Sequence, residues 1–480
     1  MNYASIFFIL GRLLEVEAIF LAMPALVSLI YGEMDCLAFL AVAVLCVGTG
    51  LLFSRRRPEK FAIYAREGFV TVSLGWIVIS ALGALPFMIT RDIPVFTDAF
   101  FETVSGFTTT GASILSDVES LSKGCLFWRS LTHWIGGMGI FVFMIAILPA
   151  TGSQNMHLLQ TESPGPEVGK LVPRLRDTAM ILYKIYFAMT LIVIIALLLT
   201  GMPLFDSLTL AFGTAGTGGF AIRGDSIASY SALQQVVIAF GMLMFGVNFN
   251  FYYFLTLGKS VKEAFRLEEV RAYLAIVGVS TLLIVVNSWK HFSSAFDALN
   301  KSFFQVSSII TTTGYGTADF DQWPTFSKII LVGLMAVGAC AGSTGGGIKV
   351  SRIQILFKAY RREMNHFIHP RLVRGVRMNG KIVKEETVSG VKGFLATYVM
   401  VLFVSVLLIS IEGEDIVTNL TAVMATIGNI GPGLSRVGPS LNYGFFSHFS
   451  KFVLIFDMLA GRLELYPMLL LFSPATWRRK

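Results

Sequence analysis

Asp98-Ala-Phe-Phe-Glu-Thr-Val-Ser-Gly-Phe-Thr-Thr-Thr-Gly111 is too apolar for an ordinary solvated connection, yet too short to cross a membrane. It reads as re-entrant. Three further stretches follow the same plan: Asp206 to Gly218-Gly219, Asp297 to Thr311-Thr312-Thr313-Gly314, and Asp415 to Gly428-Asn429-Ile430-Gly431. Each opens with an acid and closes on glycine. The terminal glycines Gly111, Gly219, Gly314 and Gly431 are 108, 95 and 117 residues apart. A period of that length fits a unit of span, re-entrant segment, span and connection. Four such units behind one leading pair of helices account for the chain and describe a ring with a central axis.

Composition sets the solvent. Of 480 residues, 54% are hydrophobic and 14% charged, with a mean hydropathy of +0.70, which is lipid-soluble composition. Ten apolar windows are long enough to be spans: 6–31, 36–53, 69–89, 125–150, 179–200, 229–257, 271–289, 325–350, 388–411 and 449–475. The first carries Arg12, Glu15 and Glu17 and lacks a basic leader, so it reads as a retained helix. Cys36, Cys46, Cys125 and Cys340 lie in or beside spans without paired spacing, which suggests neither a disulfide framework nor a zinc site.

The net charge of +8 is not a nucleic-acid signal, because the basic residues alternate by connection. Arg55, Arg56, Arg57, Lys60 and Arg66 fill one; Lys170, Arg174 and Arg176 another; Lys259, Lys262 and Arg266 a third; Arg352 through Lys384 a fourth; Arg478, Arg479 and Lys480 the tail. The positive-inside rule places these connections, and both termini, in the cytoplasm.

Backbone at membrane depth is tolerated only where it is buried in protein or lines a watery cavity. A short helix that runs inward from Asp98 and stops at Thr-Thr-Thr-Gly leaves its last carbonyls unpaired and turns the negative end of its dipole to the membrane centre. A cation fits there. Glycine permits positive φ and close approach to an axis, so carbonyls from four copies can replace an ion's hydration shell, with threonine hydroxyls supplementing them. One copy alone would be read as a helix C-cap. The glycine-rich second copy leaves its register open by one residue.

These residues resemble the Trk/Ktr/HKT superfamily of potassium transporters, most closely the longer bacterial Trk-type pore subunits with two extra N-terminal helices. The resemblance covers nearly the whole chain and is carried by the four segments above, by His133-Trp-Ile-Gly-Gly-Met-Gly139, by Ala341-Gly-Ser-Thr-Gly-Gly-Gly-Ile-Lys349 and by Gly461-Arg462-Leu-Glu464. It implies a K⁺ selectivity filter at Thr109, Thr110 and Gly111, at Thr217, Gly218 and Gly219, at Thr312, Thr313 and Gly314, and at Asn429, Ile430 and Gly431. Some Na⁺-preferring plant members carry serine for the first filter glycine; all four positions here are glycine, which favours K⁺. It also implies an inner-membrane homodimer and a cytosolic nucleotide-binding regulatory subunit. K⁺ is then the substrate, with no covalently bound cofactor.

So much glycine in Gly342, Ser343, Thr344, Gly345, Gly346 and Gly347 should break a helix, at roughly 1 kcal/mol per residue relative to alanine. A phosphate-binding loop needs Lys directly after its last glycine, whereas Ile348 precedes Lys349 here. The resemblance makes the segment an intramembrane gate beneath the filter; the alternative is a flexible kink or close helix packing. Arg462, deep in the last span, is a functional residue by default. It would set an electrostatic barrier, anchor the loop, or pair with Glu464 or loop carbonyls. Glu15 and Glu17 read as facing protein neighbours, Gly136, Gly137 and Gly139 as close packing, and His133 as a satisfied interfacial histidine.

The expectation is an all-α integral membrane protein: two leading transmembrane helices over 1–60, then pore units over 61–170, 171–262, 263–385 (with the gating loop) and 386–480. It passes K⁺ inward through a channel-like pore. The rivals are a Na⁺- or H⁺-coupled potassium symporter, which would need acidic ligands in the spans, where only Glu15, Glu17 and Glu464 stand out, and a membrane-embedded enzyme. The second lacks any His/Asp/Glu cluster of catalytic spacing. The connection from Arg361 to Lys384 could receive a partner or lie near anionic lipid.

Overall fold

The computed structural model describes residues 1–55, 64–139, 175–256, 261–371 and 374–478. Among the residues expected to fix the topology, Arg56, Arg57, Lys60, Lys170, Arg174, Lys259, Arg479 and Lys480 lie outside this set. So do the unit boundaries at 60/61 and 170/171 and the second half of the span over 125–150.

Among the described residues, six helices are long and apolar enough to cross a membrane: Tyr3–Tyr31, Cys36–Ser54, Ala65–Ile89, Asp177–Leu199, Glu268–Asn287 and Glu385–Glu412. They leave large apolar side chains such as Val44, Leu199, Leu282 and Phe403 uncovered by protein, as a lipid-facing surface requires. The first two form a hairpin that turns at Gly32 (φ 73°). Gly11 and Gly50 let these helices touch, since a Cβ on Gly11 would stand 2.6 Å from the Gly50 carbonyl oxygen.

Four times along the chain a long helix is followed by a short one and then by a second apolar helix. The short helices are Phe96–Phe107, Leu204–Gly216, Ala295–Ile310 and Ile416–Ile427. Their starts explain the four acids: Asp415 accepts from the Thr418 amide (3.1 Å), and Asp98, Asp206 and Asp297 occupy first turns, where the helix dipole favours negative charge. The second helices are Lys123–Met138, Ala232–Gly246, Thr325–Val337 and His448–Arg462. Ser122, Ser231 and Ser447 cap three of them, Ser231 in a reciprocal capping box with Gln234.

The spans expected to run unbroken over 229–257 and 449–475 do not, and the glycine run over 325–350 is a loop, not a kink. At 13 to 16 residues, each second helix is too short to cross a hydrocarbon core of about 30 Å. Ala232–Gly246 meets Phe249–Leu255 at 94°. Thr325–Val337 gives way to a loop over Gly338–Lys349 before helix Val350–Ile368, and His448–Arg462 ends at Glu464 and Leu465, both with positive φ. Lys123–Met138 stops at Gly139 (φ 80°). The connection from Arg361 to Lys384 carries regular structure: the helix runs to Ile368, and Arg377–Met378 pairs antiparallel with Lys381–Ile382 around Asn379-Gly380, both at positive φ as a tight hairpin requires.

Candidate functional site

The four short helices end in one and the same backbone device. Thr109, Thr217, Thr312 and Asn429 all adopt the left-handed region (φ 53 to 58°). Their amides donate to Gly106, Thr214, Ile309 and Thr426, and the next amides, of Thr110, Gly218, Thr313 and Ile430, reach back to Ser105, Gly213, Ser308 and Ala425 at 2.8 to 2.9 Å. This is the paired-bond helix termination that glycine usually supplies; here β-branched threonine takes the position three times, at a conformational cost of roughly 1–2 kcal/mol each. Two residues after each of these positions stand Gly111, Gly219, Gly314 and Gly431, again with positive φ (76 to 97°). The register of the second copy is therefore Thr217-Gly218-Gly219. Two carbonyls expected to be left open at each helix end are in fact taken by the reversal.

The segments close on one another in chain order. A Cβ on Gly111 would overlap the carbonyl oxygen of Gly218, one on Gly219 that of Thr313, and one on Gly314 that of Ile430; on Gly431 it would lie 2.8 Å from that of Thr110. The glycines have no Cβ because the neighbouring segment's carbonyl oxygen occupies the place. All four line one open cavity of about 130 Å³.

Threonine hydroxyls near the ring brace protein. Those of Thr110 and Thr313 pair with Thr108 and Thr311 at 2.8 Å, and Asn429 Nδ2 donates to Thr110 Oγ1 (3.0 Å) and to the Met458 carbonyl (2.9 Å). Thr217 Oγ1 donates to the Gly216 carbonyl. Outside the ring, the hydroxyl of Tyr443 donates to the Gly431 carbonyl (2.6 Å), and that of Tyr315 to the carbonyls of Leu210 and Phe220.

A buried ion pair, Glu102 with Arg129 (2.7 Å), stands behind the first two segments and is absent from the sequence-based expectations. Glu102 also accepts from Ser113 and the Ile114 amide, while Arg129 donates to the Ala221 carbonyl and lies 4.1 Å over the Phe220 ring. An acid inside an apolar helix and an arginine inside an apolar span were the available signals. His133 is satisfied, as expected, and fully buried in protein. Its Nε2 accepts from the Phe220 amide (3.2 Å), so Nδ1 carries the proton donated to the Gly106 carbonyl (2.8 Å), and its ring backs directly onto Gly218. Gly136 and Gly137 pack closely, against the Phe107 carbonyl and against Gly216.

The glycine-rich loop packs against the ring segments at Thr311, Thr312, Gly428 and Asn429. A Cβ on Gly345 would lie 2.8 Å from the Thr311 carbonyl oxygen; Gly346 stands against Gly428 and Asn429, and its amide donates to Thr312 Oγ1 (2.6 Å). Thr344 Oγ1 reaches the Phe245 carbonyl (3.2 Å) and Thr217 Oγ1 (3.3 Å), and Gly347 packs on Gly338. Lys349 (φ 84°) turns its ammonium back onto the Gly345 carbonyl. Gly342 and Ser343 instead lie at the loop's base, where the Gly342 carbonyl accepts from the Phe249 amide (2.9 Å) and Ser343 Oγ donates to the Cys340 carbonyl. Arg462 donates to the Thr344 carbonyl (3.0 Å) and to the carbonyls of Gly136 and Gly137, joining the loop to the second helix of the first unit. Of the two kinds of partner expected for it, the loop carbonyl is realised, whereas Glu464 pairs with Arg352. The acids within helices and spans are more numerous than expected, since Glu102, Glu269 and Asp457 are also buried.

Residues 36–479 match the model of the TrkH family, described as cation transport protein. The Trk system potassium uptake protein TrkH of Salmonella typhimurium is 38% identical and that of Escherichia coli K12 37% identical, each over 100% of both chains. The crystal structure of the potassium transporter TrkH from Vibrio parahaemolyticus superposes with a TM-score of 0.89 at 34% identity, covering 100% of both chains. A family model spanning nearly the whole chain, full-length relatives and a matching fold agree: this multi-pass membrane protein belongs to the TrkH family of cation transport proteins.

Proposed function

We propose that the chain mediates potassium uptake through a channel-like pore in which Thr109-Thr110-Gly111, Thr217-Gly218-Gly219, Thr312-Thr313-Gly314 and Asn429-Ile430-Gly431 form the selectivity filter. The observation that carries the reading is the cyclic closure of the four segments, each glycine against the next segment's carbonyl oxygen. Four identical helix terminations direct negative dipole ends and carbonyls to one axis, which is what a dehydrating cation needs. Braces at Glu102, Arg129, His133, Tyr315 and Tyr443 hold the ring against collapse, so that its spacing stays matched to one ion.

The loop from Gly342 to Lys349 is the gate in this reading, held under the ring by Arg462. Its crest is Thr344 to Gly346. The membrane is the cell's inner membrane with both termini cytoplasmic, the functional unit is a homodimer, and a cytosolic nucleotide-binding subunit acts on the helix that continues from the loop, Val350–Ile368. That continuity gives a partner below the membrane a lever on the gate.

The test is ⁸⁶Rb⁺ uptake into liposomes holding the purified protein, with K⁺ or Na⁺ competing outside, for the wild type and Gly111→Ser. The expected result is strong competition by K⁺ and weak competition by Na⁺, with the difference reduced in the variant. Uptake whose selectivity ignores Gly111→Ser overturns the filter assignment.

A further inference from the structure

The base of the glycine-rich loop converges on a single carboxylate. Glu269, in the first turn of the helix Glu268–Asn287, is buried, and its Oε1 accepts from the Ala341 amide (2.7 Å) and from the Ser351 amide (3.1 Å). These two residues bracket the loop's two ends. Its Oε2 lies 3.4 Å from Asn248 Nδ2, at the sharp bend of the second unit, and Asn248 Oδ1 is in turn fixed by the Asn250 amide. The neighbouring Glu268 pairs with Lys358 on the helix that continues from the loop. One acid thus joins the entry of the loop, its exit and the bend beside it.

We propose that Glu269 is the clamp that holds the loop in its position beneath the ring, a positioning residue for conduction. This rests on the reading of the loop as a gate. A buried carboxylate needs charge-assisted bonds to be tolerated, and the loop amides are what supply them. The loop's own backbone also draws its ends together, the amides of Ile348, Lys349 and Val350 donating to the carbonyls of Ala336, Val337 and Ala339, and its crest is held by Arg462 and by hydroxyls of Thr217 and Thr312; Glu269 adds a side chain from another element that accepts from both ends. With both ends drawn to one oxygen, residues 342–350 are confined to a closed turn. Moving the crest aside requires at least one end to leave Glu269. The clamp touches none of the ring carbonyls, so its loss changes how often the path is open and not which ion passes.

The experiment measures unstimulated ⁸⁶Rb⁺ flux, K⁺-over-Na⁺ competition and maleimide labelling of Cys340 as the sole cysteine. It does so for the wild type, Glu269→Gln, Glu269→Ala and a chain lacking Ser343–Gly346. Cys340 lies fully buried beside the clamped end. Glu269→Ala should raise flux on the order of tenfold, the size of effect that loss of two such bonds has on a two-state equilibrium. It should also speed Cys340 labelling and leave ion competition unchanged. Glu269→Gln, which keeps an acceptor oxygen but not the charge, should fall between. Wild-type flux and labelling in Glu269→Ala, or a loss of flux in a monodisperse protein, would overturn the clamp. If the loop deletion raises flux while Glu269→Ala does not, the clamp alone fails; if the deletion leaves flux unchanged, the gate reading fails with it.

Discussion

At the scale of the residue, the ring separates two uses of positive φ. Gly111, Gly219, Gly314 and Gly431 are glycine for want of space: the neighbour's carbonyl oxygen is where a Cβ would go. Thr109, Thr217, Thr312 and Asn429 are not glycine although their backbone invites it. Gly111→Ala should therefore reduce both assembled protein and flux, because either the ring or the new methyl must move. Thr109→Gly should cost little stability, within about 1 kcal/mol, since relief of the left-handed strain offsets the added freedom of the unfolded chain. It should nevertheless weaken K⁺-over-Na⁺ competition, as a segment released from strain and from β-branched stiffness holds its carbonyls less firmly. Thermal melting in detergent and ⁸⁶Rb⁺ competition together check the pair of variants; equal effects of the two on both readouts would contradict this division of roles. Glycine and threonine at the four segment ends were legible in the sequence because the whole device is local, spanning some seven residues. The register of the second copy was not, since four of its residues from Gly213 to Gly219 are glycine, and only the bonds to Gly213 and Thr214 fix which one turns the chain.

At the scale of the element, the short helices owe their entry to side-chain caps at Ser294 and Asp415 and to acids in the first turn elsewhere, and the second helices owe their exit to glycine and tertiary contacts. Asp415 illustrates the first. Bonds from the Thr418 hydroxyl and amide hold its carboxyl below the usual aspartate range, against some desolvation. A depressed pKa in the folded state means stability present above the unfolded value and lost as pH falls through the folded one. Asp415→Ala should lower stability at pH 7 by about 1 kcal/mol, and the gap to the wild type should start to narrow below about pH 3.9, the unfolded value, and close once pH has fallen through the lower value of the folded carboxyl. Melting curves across that range check it; a gap that persists unchanged at the acid end would assign the loss to something other than the carboxylate. The acids opening each short helix were visible in the sequence for this reason. The breaks in the second helices were less so. Only the glycine run of the third announces itself; at Gly246-Val247-Asn248 and Gly461-Arg462 the apolar pattern continues across the break, and the cause is the packing of the broken ends against other units. Glu102 with Arg129 and the three partners of Glu269 likewise pair residues distant in sequence, which periodicity cannot align.

At the scale of the whole molecule, the four segments close into one ring, the loop that follows Thr325–Val337 packs against it, and Arg462 at the end of His448–Arg462 ties that loop to a distant part of the chain. Its guanidinium spans the Thr344 carbonyl on one side and the carbonyls of Gly136 and Gly137, at the broken end of the first unit's second helix, on the other. Beside it lie the ring-bracing Asn429 and the Gly461 close approach to the Ile427 carbonyl, so the arginine has little room to move on its own. A planar fork can serve carbonyls on two sides at once, whereas an ammonium is a point donor on a flexible stem. Arg462→Lys should consequently keep the positive charge beneath the ring yet lose the bridge, and Arg462→Ala should lose both. If the bridge is what matters, the two variants raise unstimulated ⁸⁶Rb⁺ flux alike, on the order of tenfold for loss of charge-assisted bonds of the stronger kind. If the fixed charge repels the permeating cation, only Arg462→Ala raises it. The geometry favours the bridge: the guanidinium is spent on three carbonyls, and Arg352, which pairs with Glu464, leaves local charge little altered by the lysine variant. Equal flux in the two variants, with K⁺ competing as in the wild type, is the expected outcome.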